Sequence, residues 1–244
     1  MQKRFLFAAI IVCATLLTSS CRMNVLRGEG TKTVATPDVS SFNAVDIDIS
    51  LNAVITVQEG VQPMLKLDGY ENIIKHIKTS VENNKLRIYS DLDDTWTMDS
   101  GDITAEITLP EITALTLEGA PDAEVHGSIT GGDFRLDISG ASTVKLDNVN
   151  VDNFSIQVSG AGDIVVKGGA VKHASYEIDG AGTLKAYPLQ ADETVATISG
   201  AGTSQVTALK KLAANINGAG TIKYKGHPEI TKEVSGIGTI SDAN

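Results

Sequence analysis

Along the C-terminal half of the chain, apolar and polar residues alternate on both sides of a recurring glycine. The second residue before that glycine is Leu117, Ile138, Val158, Ile178, Ile198, Ile216 or Val234. The fourth before it is Leu115, Leu136, Ile156, Tyr176, Ala196 or Ala214, and the fourth after it is Val144, Ile164, Leu184, Ser204, Ile222 or Ile240. Polar residues fill the gaps: Asp137, Gln157, Glu177, Thr197 and Asn215 before the glycine, and Lys145, Lys185, Gln205 and Lys223 after it. Period-two alternation predicts strands with one wet and one dry face, and the glycine between them predicts a tight corner. Helix is excluded on the same pattern, because paired glycines are costly in a helix interior and nothing recurs at 3.6 residues.

The corners repeat as well. Gly-Ala-Pro begins at Gly119, Gly-Ala-Ser at Gly140, Gly-Ala-Gly at Gly160, Gly180, Gly200 and Gly218, and Gly-Ile-Gly at Gly236. The steps between them are 21, 20, 20, 20, 18 and 18 residues. A unit of that size cannot bury its apolar face alone, so copies must stack and share one core. The expected fold is all-β, a single-stranded parallel β-helix or β-solenoid with rungs of roughly 20 residues, right-handed by the general chirality preference. Gly140, Gly160, Gly162, Gly180, Gly182, Gly200, Gly202, Gly218, Gly220, Gly236 and Gly238 are then structural turn residues, placed where the backbone needs φ > 0 or close approach.

Polar ladders flank the corners. Asp122, Thr143, Asp163, Thr183, Thr203, Thr221 and Thr239 follow them; Ser139, Ser159, Asp179, Ser199, Asn217 and Ser235 precede them. Such rows can offer hydroxyls to a ligand, with Thr183, Thr203 and Thr221 the candidate contacts. The plainer reading is that they hydrogen-bond the local turn backbone.

Residues 119–244 form the regular repeat part, and 40–118 are expected to be its N-terminal capping part. Ile49 to Val57 aligns with Val158 to Val166 as a first rung without glycines. Met64–Leu67 and Lys85–Tyr89 read as strands, Asn83-Asn84 as a turn and Asn72–Ile77 as a helical turn. Asp91 to Asp102 is an acidic loop holding the only tryptophan, Trp96. That ring either caps the fold or stacks on a sugar; capping is the plainer reading.

The chain opens with Lys3 and Arg4, an apolar run from Phe5 to Leu17, and Thr18-Ser19-Ser20-Cys21. A basic start, a short apolar middle and a small-residue end describe an export signal over residues 1–20. Small residues directly before a cysteine resemble the bacterial lipoprotein signal, which makes Cys21 the expected lipid attachment site and membrane anchor. Cys13 lies in the removed segment, so Cys21 has no disulfide partner in the exported chain. Residues 21–39 lack alternation and read as a tether.

Formal charge is −10, and −12 once Lys3 and Arg4 leave with the signal. That argues against nucleic acid as a partner. The acids of the 91–102 loop fit no calcium-loop spacing, and His76, His126, His173 and His227 have no metal-ligand neighbour at a recognisable spacing. There is no nucleophile elbow, phosphate loop or dinucleotide fingerprint, and stacked rungs leave little concavity for a pocket. The chain therefore reads as non-enzymatic, without cofactor or metal.

The segment Val39-Ser40-Ser41-Phe42-Asn43-Ala44-Val45, the strand Leu86-Arg87-Ile88, the stretch Leu109-Pro110-Glu111-Ile112 and the Gly-Ala-Gly series together resemble the head GIN domain family. Its members are labelled putative auto-transporter adhesins and are common in Bacteroidetes. The resemblance spans residues 38–240 and implies a β-solenoid at the cell envelope with an adhesion role toward glycan or protein ligands. It brings no catalytic residues. Envelope placement at the outer membrane follows, and Arg22-Met23-Asn24, which lacks acids after the cysteine, favours the periplasmic face. The rival expectation is a structural or stress-response accessory protein bound to another envelope protein. A polysaccharide lyase or hydrolase is the minor alternative.

Overall fold

The computed structural model describes residues 24–93, 96–98 and 103–244. Strands dominate it: β1 (Asn24–Leu26), β2 (Lys32–Ala35), β3 (Ala44–Asp48), β4 (Asn52–Val57) and β5 (Met64–Tyr70) precede a single helical turn, α1 (Glu71–Ile74). There follow β6 (Ile77–Glu82), β7 (Lys85–Ser90), β8 (Trp96–Met98), β9 (Thr104–Leu109) and β10 (Ala114–Gly119). Strand β11 (Asp122–Val166) runs unbroken through the corners at Gly140 and Gly160. It leads to β12 (Gly169–Gly180), β13 (Thr183–Lys185), β14 (Leu189–Ile198), β15 (Thr203–Gly218), β16 (Thr221–Lys225), β17 (Glu229–Gly236) and β18 (Thr239–Asp242).

These strands build the parallel β-solenoid that the period predicts, with about six turns. Register follows the repeat directly. Leu115 pairs with Leu136 and Leu117 with Ile138; Ile156 pairs with Tyr176 and Val158 with Ile178; Ile178 pairs in turn with Ile198. After the corner, Ile164, Leu184, Ser204, Ile222 and Ile240 form a second row. Val149, Gly169 and Leu189 start a third. The inward members of these rows make one continuous core, including Phe134 stacked on Phe154 at 5.6 Å and Tyr176 edge-on to Phe154 at 6.0 Å. Ser204 breaks the second apolar row: it is buried, and its hydroxyl has no hydrogen-bond partner among the described residues.

At the corners the two glycines answer different constraints. Gly160 has φ +141°, and a Cβ there would run into the carbonyl oxygen of Gly140 directly below. That carbonyl row is occupied, because the amides of Ala181, Ala201 and Ala219 donate to the oxygens of Gly160, Gly180 and Gly200 at 2.8–2.9 Å. Gly162 faces inward instead, where a Cβ would lie 3.1 Å from Val158 Cγ1 and 3.4 Å from Ile138 Cδ1. Ser142 holds the equivalent place one rung below and is buried.

In the N-terminal half the order in space departs from the order in sequence. The β3–β4 rung, first along the chain, lies between two others: β3 pairs with β7 on one side and β10 on the other, and β4 pairs with β9 and β11. The parallel register also ends here. β6 runs antiparallel to β7, and β5 antiparallel to β9, with β2 antiparallel to β5 outside it. Asn83 and Asn84 link β6 to β7 with φ of 50° and 62°, the two left-handed residues of a type I′ hairpin turn. Leu65, Leu67, Ile73 and Ile77 from these elements are buried over the end of the core. A parallel stack exposes unpaired edges and an open core at each end, and antiparallel strands close this one.

The 21–39 tether reading needs correction. Lys32–Ala35 is paired to Leu67–Tyr70, and Asn24–Leu26 to Trp96–Met98. Short runs of polar and β-branched residues carry too little alternation to announce an edge strand. The opposite end of the stack is plainer. Among the described residues β17 pairs only with β15, and β18 only with β16. Lys232, at an inward register position, lays its ammonium 5.2 Å from the Tyr224 ring centre.

Candidate ligand-binding cleft

Most corners of the solenoid are turned in a few residues; Ala120-Pro121 is all that separates β10 from β11. The rung formed by β7 and β9 is different, because residues 91–103 intervene between Ser90 and Thr104. This excursion carries β8, which leaves the corner to pair with β1. Its start is pinned. The Asp91 carboxylate takes His76 Nδ1 at 2.8 Å and Lys78 Nζ at 3.0 Å, and the Asp91 amide donates to the His76 carbonyl. Those partners, His76 first, hold the Asp91 carboxyl below the ordinary carboxylate range. The Leu92 amide donates to Ser90 Oγ, and the Trp96 amide to the Asp93 carbonyl.

Between the excursion and the neighbouring corners lies a cleft of about 350 Å³. Its apolar lining is Ile49, Leu92, Met98 and Trp96; its polar lining includes Asp48, Arg87, Asp93 and Glu118, with Tyr89 beside them. The expectation that stacked rungs leave little concavity is corrected: shallow hollows of about 310–370 Å³ also lie on regular rungs, and this cleft is the one where a rung does not close its corner tightly. Trp96 is 41% exposed, and it alone among the aromatics ranks with the exposed large apolar side chains of the described residues.

Arg87 organises the polar side. Its guanidinium donates to Asp48 Oδ2 at 2.8 Å and lies 5.1 Å from the centre of the Tyr89 ring. The Asp48 hydrogen bond, followed by the nearby charges of Asp48, Asp46 and Glu118, pushes the Arg87 pKa still higher, so the group is a permanent cation. None of these partners could be singled out from the sequence. Asp48, Arg87 and Glu118 stand on three separate strands, β3, β7 and β10, brought side by side only by the non-sequential order of the rungs. The signal that was available is the break in the corner pattern around Trp96.

The threonine row lies elsewhere. Asp163, Thr183, Thr203, Thr221 and Thr239 are in direct register, as expected of a ladder. Their turn amides are satisfied by main chain: the amides of Thr203, Thr221 and Thr239 donate to the carbonyls of Gly182, Gly202 and Gly220. The hydroxyls of Thr183, Thr203 and Thr221 make no hydrogen bond among the described residues and are half-buried. Three rungs separate Gly119, at the cleft, from Gly180 beside Thr183, about 14 Å along the stack. The structure therefore does not bring Trp96 and the threonines into one site. Cys21 and the export signal lie outside the described residues, as do Asp94, Asp99 and Asp102 of the acidic loop.

The remaining histidines with partners each face acids, His126 with Asp147 at 3.1 Å and Glu124 at 3.7 Å, and His173 with Glu193 at 3.5 Å. Among the described residues no group of three His, Cys, Asp or Glu side chains is arranged to hold a metal ion.

Comparison with known proteins agrees with this architecture. A crystal structure from Bacteroides fragilis, named as a putative adhesin, matches with a TM-score of 0.82 and 25% identity over 89% of this chain and 100% of its own. A structure from Parabacteroides distasonis, named as a putative lipid binding protein, matches with a TM-score of 0.71 and 23% identity over 91% of this chain and 100% of its own. A putative adhesin from Parabacteroides merdae gives 0.69 and 18% over 91% and 100%. No curated protein matches. The family model described as "putative auto-transporter adhesin, head GIN domain" matches residues 41–228. On that match, which takes in β3 to β16 and with them the cleft-forming excursion, the chain belongs to the head GIN domain family.

Proposed function

We propose that this protein is a non-catalytic envelope lipoprotein whose β-solenoid serves as an adhesin-like binding module for glycan or protein ligands. The observation that carries the reading is the cleft at the interrupted corner: a stack whose C-terminal rungs turn at a repeating glycine corner holds, at its β7–β9 rung, an exposed indole among charged, planar side chains. Stacked repeats recognise partners through such insertions, because the repeating body supplies stiffness and the insertion supplies chemistry. The solved relative named as a putative adhesin points the same way. No step of the reading requires catalysis, a metal or a cofactor.

Lipidation at Cys21 supplies the anchor. Strand β1 begins at Asn24, so a fully extended link to Cys21 spans about 10 Å. An anchor that short holds the β1–β8 end of the solenoid close to the membrane. The second reading, in which the partner is a component of the cell's own envelope met at the periplasmic face, is supported by Arg22-Met23-Asn24, which places no acid after the cysteine.

Fractionation tests the anchor: Cys21→Ala moves the protein into the soluble fraction, and unchanged partitioning refutes lipidation. Protease shaving of intact cells tests exposure. Cleavage supports adhesion at the surface, and protection supports the periplasmic reading. Glycan arrays and capture from envelope extracts test binding itself, and a chain that retains neither sugar nor envelope protein is not a binding module. New reducing ends after incubation with acidic polysaccharides would convert the reading to an enzyme.

A further inference from the structure

The geometry assigns the Trp96 cleft a specific ligand class: we propose that it seats one pyranose ring of a neutral or amino sugar, stacked on the indole and hydrogen-bonded by Asp48, Glu118 and Arg87. This deepens the binding-module reading and rests on it.

Four observations converge. The first is cost. The aromatic rings of the core, Phe42, Phe134, Phe154, Tyr176 and Tyr224, are buried, whereas Trp96 leaves 41% of its surface in water on a rung that departs from the repeating corner. An indole face is the surface on which the C–H face of a sugar ring packs, and Trp combines that apolar face with a polar edge. The second is size, since about 350 Å³ falls at the small end of small-ligand sites and admits a sugar ring rather than a protein segment. The third is donor and acceptor chemistry. Carboxylates accept from two hydroxyls at once, and the guanidinium presents several N–H groups in a fixed plane, of which Asp48 engages one at 2.8 Å. Vicinal hydroxyls, each a donor and an acceptor, match that alternation of carboxylate and guanidinium.

The fourth is charge. Among the described residues that line the cleft, the carboxylates of Asp48 and Glu118 stand beside the guanidinium of Arg87, which leaves a net negative charge. An anionic sugar such as a uronate meets net repulsion and finds its natural counter-ion already bound to Asp48. A neutral ring meets none, and an amino sugar gains an ion pair.

Trp96 is the only tryptophan, so intrinsic emission of the full chain reports from this cleft alone. The full chain is titrated with cellotetraose, with a chitosan tetramer and with tetragalacturonate. The inference expects a saturable emission change with the neutral or the amino sugar and none with the uronate. By calorimetry, Trp96→Ala weakens binding about tenfold or more, and Trp96→Phe recovers most of it. Glu118→Gln keeps the neutral sugar and admits the uronate. Because Trp96 and Glu118 are exposed, the melting temperatures of these variants stay near the parent's, which separates lost binding from lost folding. Pull-down on the cell's own insoluble envelope glycan against a soluble foreign polysaccharide tells the two sources of that chemistry apart.

No response to either favoured sugar, equal affinity in Trp96→Ala, or preference for the uronate overturns the inference. Sugar binding that survives Trp96→Ala but disappears in the Thr183/Thr203/Thr221 triple alanine variant also overturns it, and leaves the binding-module reading standing.

Discussion

Gly160, at φ +141°, has the Gly140 carbonyl oxygen where its Cβ would be. Relief of that clash requires the rungs to separate locally, which lengthens main-chain bonds such as Ala181 N to Gly160 O at 2.9 Å. Gly160→Ala therefore combines left-handed backbone strain with a main-chain collision, and is expected to cost ~3 kcal/mol or more. Gly162→Ala meets only side-chain methyls, which can shift by tenths of an ångström, and Ser142 already fills the equivalent place. Its expected cost is about 1 kcal/mol. At about 2–4 °C per kcal/mol for a chain of this size, thermal melts separate the two variants clearly. Equal melting temperatures would show that the two glycines of each corner share one role.

Neighbouring rungs are joined on their wet faces by pairs of opposite charge, such as Lys145–Glu124 at 2.7 Å, Lys167–Asp147 at 2.8 Å and Lys211–Glu193 at 3.0 Å. The hydrogen bond from Lys167, followed by that from His126, holds the Asp147 carboxyl below its ordinary range, and Lys145 and Lys211 do the same for Glu124 and Glu193. A carboxyl depressed in the folded state contributes stability above its unfolded pKa of about 3.9–4.3, and loses it as pH falls through the folded value. Stability should thus be level near neutrality and decline below about pH 4. Because the pairs are exposed, each contributes little, and Lys167→Met should narrow the gap between the melting temperatures at pH 7 and pH 3 by a few degrees at most. A gap that widens would mean Lys167 is not what depresses Asp147. These pairs also bear on what the sequence could disclose. Segments with a period-two pattern that ends on a corner glycine, such as Phe154–Gly160, were legible because pattern and pairing partner share one spacing. Pairing in the N-terminal half was not, since Met64–Tyr70 and Ile77–Glu82 alternate in the same way whether their neighbour runs parallel or antiparallel. The cleft was half legible: Trp96 stood out by type and by the broken corner, whereas Asp48, Arg87 and Glu118 acquire their meaning only from a rung order that the repeat does not encode.

A stack whose rungs touch only their neighbours has stability that adds rung by rung, so its two ends should respond differently to deletion. At the C-terminal end β17 and β18 pair, among the described residues, with one neighbouring rung only, and Val234 and Ile237 are exposed at 45% and 89%. Removal of residues 226–244 takes away Ile230 and Ile240, which pack against the core, and uncovers Tyr224 and the outer edges of β15 and β16, but leaves the rung below as a new end of the same kind. The shortened chain is expected to keep its β-sheet circular dichroism, reduced only by the missing strands, and to melt several degrees lower. At the other end, replacement of residues 58–84 by a short linker removes β5, α1 and β6, and with them Leu65, Leu67, Ile73 and Ile77, whose burial closes the core. Each such side chain is worth about 1.5–3 kcal/mol when buried, and the strands exposed by the cut, β7 and β9, become long unpaired edges. That variant should aggregate or lose cooperative melting. If instead the 226–244 deletion abolishes the β-sheet signal altogether, the rungs do not contribute independently, and the solenoid folds as a single all-or-none unit whose last turn is as indispensable as its closed end.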